Sequence, residues 1–175
     1  MTMTLEEHLD LASVLALLVT EAGGLEGRLR VQKLMYLLQR KGVRALEPVF
    51  FEYHRYGPFS TEVVDMLNEG VRSRIVEEHR ESDGDWEKYT YRPEINASRY
   101  ANKVDSQTRA VVAEVLDACR GAHWRTLELA ATSDFLRRAD DLDWNAAVEA
   151  ALTRKPACKP WEREARRLLE ALQLD

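Results

Sequence analysis

One turn signal limits what this chain can fold into more than any other feature. Asp83-Gly84-Asp85 sits between Arg74-Ile75-Val76-Glu77-Glu78 and Trp86-Glu87-Lys88-Tyr89-Thr90-Tyr91-Arg92, two runs with β-branched and aromatic character. Asp-Gly tolerates the positive φ of a tight turn, so the arrangement predicts a β-hairpin, ended by Pro93. What precedes it is mostly helical. Leu5, Leu9, Ala12, Leu15 and Val19 fall at helical spacing behind a Thr4 cap, and Gly23-Gly24 closes that helix. Val31, Leu34, Met35 and Leu38 mark a second helix from Arg28 to Lys41, stopped by Gly42. Pro48 to Tyr56 reads as a short strand broken by Gly57-Pro58, and Ser60 caps a third helix bearing Val63, Met66, Leu67 and Val71. The order helix, helix, strand, helix, hairpin predicts a winged-helix-like N-terminal half.

The remainder reads as helices. Thr108, Val112, Val115, Leu116 and Cys119 make one stripe, and Trp124, Leu127, Ala131 and Phe135 another. Asp143 caps a helix with Trp144, Ala147, Val148 and Ala151 inward, and Pro160 opens a last one through Trp161, Ala165, Leu168 and Leu172. Trp124, Trp144 and Trp161 are expected as core anchors between these helices. The predicted fold is therefore mainly α with a small β-hairpin. A winged-helix-like region, residues 1–92, packs with a C-terminal helical region, residues 105–175, as one compact unit jointed between Arg92 and Asp105. A chain of 175 residues with 45% hydrophobic and 31% charged residues is ordinary globular material. It can bury roughly 70% of its unfolded surface, so neither a metal nor a disulfide is required for stability.

The sequence excludes several functions. The apolar run Leu11 to Val19 is nine residues, about half a membrane span, and Met1 to Asp10 carries Glu6, Glu7 and Asp10 with no Lys or Arg. No membrane partner and a cytoplasmic location follow as expectations. His8, His54, His79 and His123 are scattered, and Cys119 and Cys158 form no close-spaced motif, so no metal site is expected. Cys119 is expected as a buried thiol. No nucleophile turn and no phosphate loop occurs, so the expectation is a protein without catalytic residues or cofactors. Asp140, Asp141 and Asp143 form an acidic turn that either attracts a cation or simply caps the next helix.

Charge is unevenly placed. The total is -5, yet Arg28, Arg30, Lys33, Arg40, Lys41 and Arg44 form a stretch of +6 without an acid. Such a run meets phosphate or an acidic partner, or is a solvated helix face. A winged-helix DNA reader needs Arg, Lys, Asn or Gln on its third helix and phosphate contacts from its wing. Here Phe59 to Gly70 carries Glu62, Asp65 and Glu69 with no basic residue, and Glu81 to Glu87 contains four acids and no base. Both elements have the wrong sign for DNA. The segment His54-Arg55-Tyr56-Gly57-Pro58-Phe59-Ser60, a cationic and aromatic strand end before a rigid turn, reads as a recognition notch or as a required tight turn.

Three segments carry a family resemblance. Gly27-Arg28-Leu29-Arg30-Val31-Gln32-Lys33-Leu34-Met35-Tyr36-Leu37-Leu38-Gln39 resembles the x-LQKL-x-Y-L-x-Q helix of the YwgA-like bacterial and archaeal proteins. Tyr53-His54-Arg55-Tyr56-Gly57-Pro58-Phe59-Ser60 is similar to their Y-x-Y-G-P-[YF]-S turn, and Leu127-Glu128-Leu129-Ala130-Ala131-Thr132 to their L-E-L-x-A-T helix. The first two segments also resemble Panacea or SocA-like antitoxin domains, where the turn reads Gly-Pro-Val in place of Gly-Pro-Phe-Ser. The resemblance implies a small helical binding module without catalysis. The expected function is a cytosolic protein-interaction module, antitoxin-like or an adaptor. Its expected contact residues are Arg28, Arg30, Gln32, Lys33, Tyr36, Arg40, His54, Arg55, Tyr56, Gly57 and Pro58. The alternative is a winged-helix nucleic-acid-binding regulator that uses the basic second helix.

Overall fold

A computed structural model describes residues 4–84 and 86–174. The start of the acidic leader, Met1 to Met3, and the Asp85 position of the predicted turn lie outside the described residues. Helix α1, Leu5–Ala22, begins with a reciprocal cap in which the Glu7 amide donates to Thr4 Oγ1 (3.2 Å) and the Thr4 amide to Glu7 Oε2 (2.6 Å). Its run from Ser13 to Val19 is buried all round, which makes it the central helix of the molecule. Strand β1, Leu25–Glu26, follows, then α2, Arg28–Arg40. After a 3-10 turn at Arg44–Leu46 come β2, Glu52–His54, β3, Gly57–Phe59, and α3, Thr61–Arg72, capped by Ser60. Strands β4, Val76–Asp83, and β5, Trp86–Pro93, form the expected hairpin.

The sheet order is β1-β5-β4, antiparallel throughout, so the strand after the first helix closes against the second strand of the wing, which becomes the centre of the sheet. That topology is winged-helix-like, and it gains β1, which is too short to announce itself in sequence. A second departure lies between α2 and α3. The expected single strand is a two-stranded hairpin in which Gly57-Pro58 does not break the strand but begins β3. Gly57 has φ +85°, which supplies the turn. Pro58 pairs with Tyr53 but needs no ladder donor, because its backbone oxygen points away to Lys33.

The C-terminal half contains α4, Ala97–Ala101, α5, Ser106–Ala118, α6, Trp124–Ala139, and α7, Trp144–Arg154. A 3-10 turn at Pro156–Trp161 precedes α8, Glu162–Leu172, so the last helix starts one residue after Trp161. The predicted joint carries α4, whose Ala97 and Ala101 pack on α1. Helix α6 lies against α2 and β3, and one continuous hydrophobic cluster runs through both halves. The three tryptophans are not core anchors. Trp124, Trp144 and Trp161 are all half-buried, with arginines over the rings of Trp124 (4.3 Å) and Trp144 (4.4 Å) and His123 stacked on Trp161 at 3.9 Å. Amphipathic rings suit a helix edge as well as a core.

Candidate functional site

The Tyr53 to Ser60 turn is held by side chains that reach its backbone. The Gln32 amide donates from Nε2 to the Ser60 carbonyl (2.8 Å), and its Oε1 accepts from the Ser60 amide (3.0 Å), replacing a neighbouring strand. Lys33 Nζ donates to the Pro58 carbonyl at 2.6 Å, and Lys155 Nζ donates to the Arg55 carbonyl at 2.7 Å. Both lysines are buried, and Glu128 of α6 provides their shared counter-charge, 2.9 Å from Lys155. Burial holds the Lys33 ammonium down to about 7 against the pull of Glu128, and the nearby Lys155 charge lowers it further. Cys158 completes the cluster, with Sγ 3.5 Å from Glu128 Oε2. Thr132, one turn along α6, faces Gly57, and its buried hydroxyl has no hydrogen-bond partner.

A second set of buried polar groups joins the same two helices. Tyr36 Oη donates to Asp134 Oδ2 at 2.7 Å, and Arg40 Nε donates to the same oxygen at 2.7 Å. Arg137 Nε lies 3.9 Å from Asp134 Oδ1. Burial and the adjacent Asp134 charge raise the Tyr36 phenol well above its ordinary range, so it stays a donor at every physiological pH. Phe51 meets the Tyr36 ring edge-on at 5.2 Å.

These networks redistribute the expected contact surface. Gln32, Lys33, Tyr36, Gly57 and Pro58 are buried, and their polar atoms serve the interior. Arg40 is spent on Asp134, and Lys41 pairs with Glu114 at 2.8 Å. The i, i+3, i+7 set Lys33, Tyr36 and Arg40 on one face of α2 reads as solvated, but α6 brings matching carboxylates to it. Arg28, His54, Arg55 and Tyr56 remain exposed, and Arg30 is half-buried.

Arg28, Arg30, His54 and Tyr56 line a cleft of about 800 Å³ between the start of α2, the β2–β3 hairpin, α3 and β5; Arg55 does not. Its floor is apolar, built from Leu29, Val31, Phe59, Val63, Val64 and Leu67. Three aromatic rings line its edges, and each carries an arginine: Arg28 over Tyr89 at 4.0 Å, Arg55 over Tyr56 at 5.6 Å, and Arg125 over Trp124 at 4.3 Å. Arg28 is further fixed by Tyr91 Oη (3.1 Å) and Glu78 (3.3 Å). Sequence reasoning missed Tyr89, Trp124 and the α3 floor. The adjacent pairs Arg55-Tyr56 and Trp124-Arg125 were the available signal.

The acidic residues of α3 remain where a DNA reader would be basic. Glu62 accepts from Ser60 Oγ at 2.7 Å, Glu69 pairs with Arg72, and Asp65 is exposed. Asp143 caps α7 by accepting from the Ala146 amide (2.8 Å), and Asp140 lies 3.9 Å from Arg154, so two members of the acidic turn have ordinary roles. Among the described residues no three His, Cys, Asp or Glu side chains gather as a metal site, and no helix is long and apolar enough to cross a membrane. Both cysteines are free and buried, and burial pushes the Cys119 thiol up to about 12 and Cys158 to about 11. Compared with known proteins, the chain matches no family model and no curated sequence.

Proposed function

We propose that this chain is a non-catalytic, cytosolic protein-interaction module of the antitoxin or adaptor kind, and that it docks its partner in the cleft between α2, α3 and the β2–β3 hairpin. The observation that carries this reading is the division of labour along one segment. Its buried polar atoms hold the hairpin rigid, while Tyr56, His54 and the arginine-capped rings stay at the surface around an apolar floor. A rigid, preformed cleft with aromatic anchors favours binding, since little ordering is left to do on association. The nucleic-acid alternative has less support. Of its six basic residues, Lys33 is buried, and Arg40 and Lys41 are tied to carboxylates.

The test is isolation of the tagged native protein from its own cells at low salt. A stoichiometric protein partner that is lost from Tyr56→Ala, with the variant still folded, supports the reading. No stoichiometric partner, or retention by Tyr56→Ala, overturns it. Tyr56 is 47% exposed, so its truncation leaves the core untouched.

A further inference from the structure

The charges around the cleft are not balanced. Its two acids already have cationic partners: Glu26 lies 3.2 Å from Lys88, and Glu87 is paired with Arg80. Its cations are less provided for. Arg28, Arg30 and Lys88 line it, and Arg30 donates to the Ala122 carbonyl at 2.7 Å. Among the described residues Arg30 has no carboxylate at ion-pair distance, and Arg28 shares its one, Glu78, with the Tyr91 hydroxyl. The first turn of α2 adds to the imbalance. It holds Arg28 and Arg30 and no acid, and its Gly27 cap offers no side-chain bond, so positive side chains stand at the positive end of the helix.

Floor and rim together describe a ligand. The floor offers apolar surface from the half-buried Leu29, Phe59 and Val64 above the buried Val31, Val63 and Leu67, which suits aliphatic or aromatic side chains and offers nothing to a sugar-phosphate backbone. The rim offers guanidinium groups that match carboxylates. Building on the docking reading above, we infer that the cleft takes an acidic amphipathic helix of the partner protein. Its apolar residues at i, i+3, i+4 and i+7 lie on the α3 floor, and its flanking Asp and Glu side chains reach Arg28 and Arg30. Charge steers the encounter and sets polarity, and the apolar anchors provide most of the affinity.

The experiment pans the full-length protein against a displayed library of helical peptides in which all positions vary. Val64→Lys serves as the counter-selection, because a long side chain on the floor occludes the cleft without adding an acid. The expected result is enrichment of peptides with Leu, Ile or Phe at helical spacing and Asp or Glu beside them. Their affinity should fall about fivefold for Arg30→Glu and by more than tenfold for Val64→Lys. Cleft-dependent peptides that are basic, neutral or proline-rich overturn this inference and leave the docking reading standing. Peptides that ignore Val64→Lys, or no enrichment at all, overturn both. A uridine-rich oligonucleotide forms the last arm. Salt-sensitive binding that Val64→Lys abolishes would assign the cleft to single-stranded nucleic acid and overturn both readings.

Discussion

Gly57 lies so near Thr132 that a Cβ on it would stand 2.3 Å from the Thr132 hydroxyl oxygen. This approach seats the β2–β3 hairpin on α6 and sets the height of one wall of the cleft. Gly57→Ala meets two penalties, the clash and a φ of +85°. We expect a loss of about 3 kcal/mol in denaturant unfolding. Gly57→Ala combined with Thr132→Ala should recover the clash but not the backbone strain, about half the loss. Equal stability of the single and double variants would show that the contact has no weight.

Thr132 alone makes a separate prediction, because its buried hydroxyl has no partner. Thr132→Val keeps the shape and removes an uncompensated polar group. Stability should hold or rise by about 1 kcal/mol, read as an increased denaturation midpoint. A fall of that size would mean the hydroxyl is bonded in solution.

Lys33 makes stability depend on pH. Its ordinary value is 10.5 and burial lowers it to about 7, so between these limits the unfolded chain holds a proton that the folded chain lacks. Unfolding free energy attributable to Lys33 therefore rises with pH from about 7 toward 10.5, and is lowest below 7, by on the order of a few kcal/mol. The difference in midpoint between the native protein and Lys33→Met, measured at pH 6.5 and pH 9, isolates this effect because other groups titrate in both. The native protein should gain on the variant at the higher pH. An unchanged difference would place the lysine in a solvated environment.

Asp134 and Glu128 should be the costliest polar positions. Asp134→Asn leaves Arg40 and the Tyr36 hydroxyl facing a neutral amide, and Glu128→Gln leaves Lys33 and Lys155 without their carboxylate. Each should cost about 3–5 kcal/mol. Tyr36→Phe removes one bond and leaves the ion pair, so about 1–2 kcal/mol is expected. Urea titrations that rank Tyr36→Phe above Asp134→Asn would contradict the arrangement.

Much of the frame was readable from spacing and caps. Thr4, Ser60 and Asp143 all cap helices as their side chains suggest, and the Asp-Gly hairpin lies where it was expected. Strand β1 escaped because two residues have no periodicity. The β2–β3 hairpin escaped because Gly-Pro is ordinarily a stop, and only a lysine on another helix makes Pro58 a useful strand residue. The site was half legible for a related reason. Lys33 and Arg40 look like solvent residues in isolation, while their carboxylates, Glu128 and Asp134, stand nearly a hundred residues further along in a helix buried from Thr126 to Asp134. Two acids beside the apolar stripe of that helix, Glu128 next to Leu127 and Asp134 next to Phe135, were the clue. They require cations, and the seven-residue spacing of Lys33 and Arg40 nearly matches the six of Glu128 and Asp134.

Helix α6 supplies the counter-charges for α2 and the seat for the hairpin, and this bears on how the chain can be divided. Cutting between Arg92 and Asp105 would leave the first fragment with a buried lysine and arginine lacking their anions, and the second with Glu128 and Asp134 keeping only Lys155 and Arg137 of their cations. Neither piece can satisfy itself. Each would complete the other on mixing, so a nick in this segment should yield a split protein that reassembles from its two halves, and the cleft would exist only in the reassembled form.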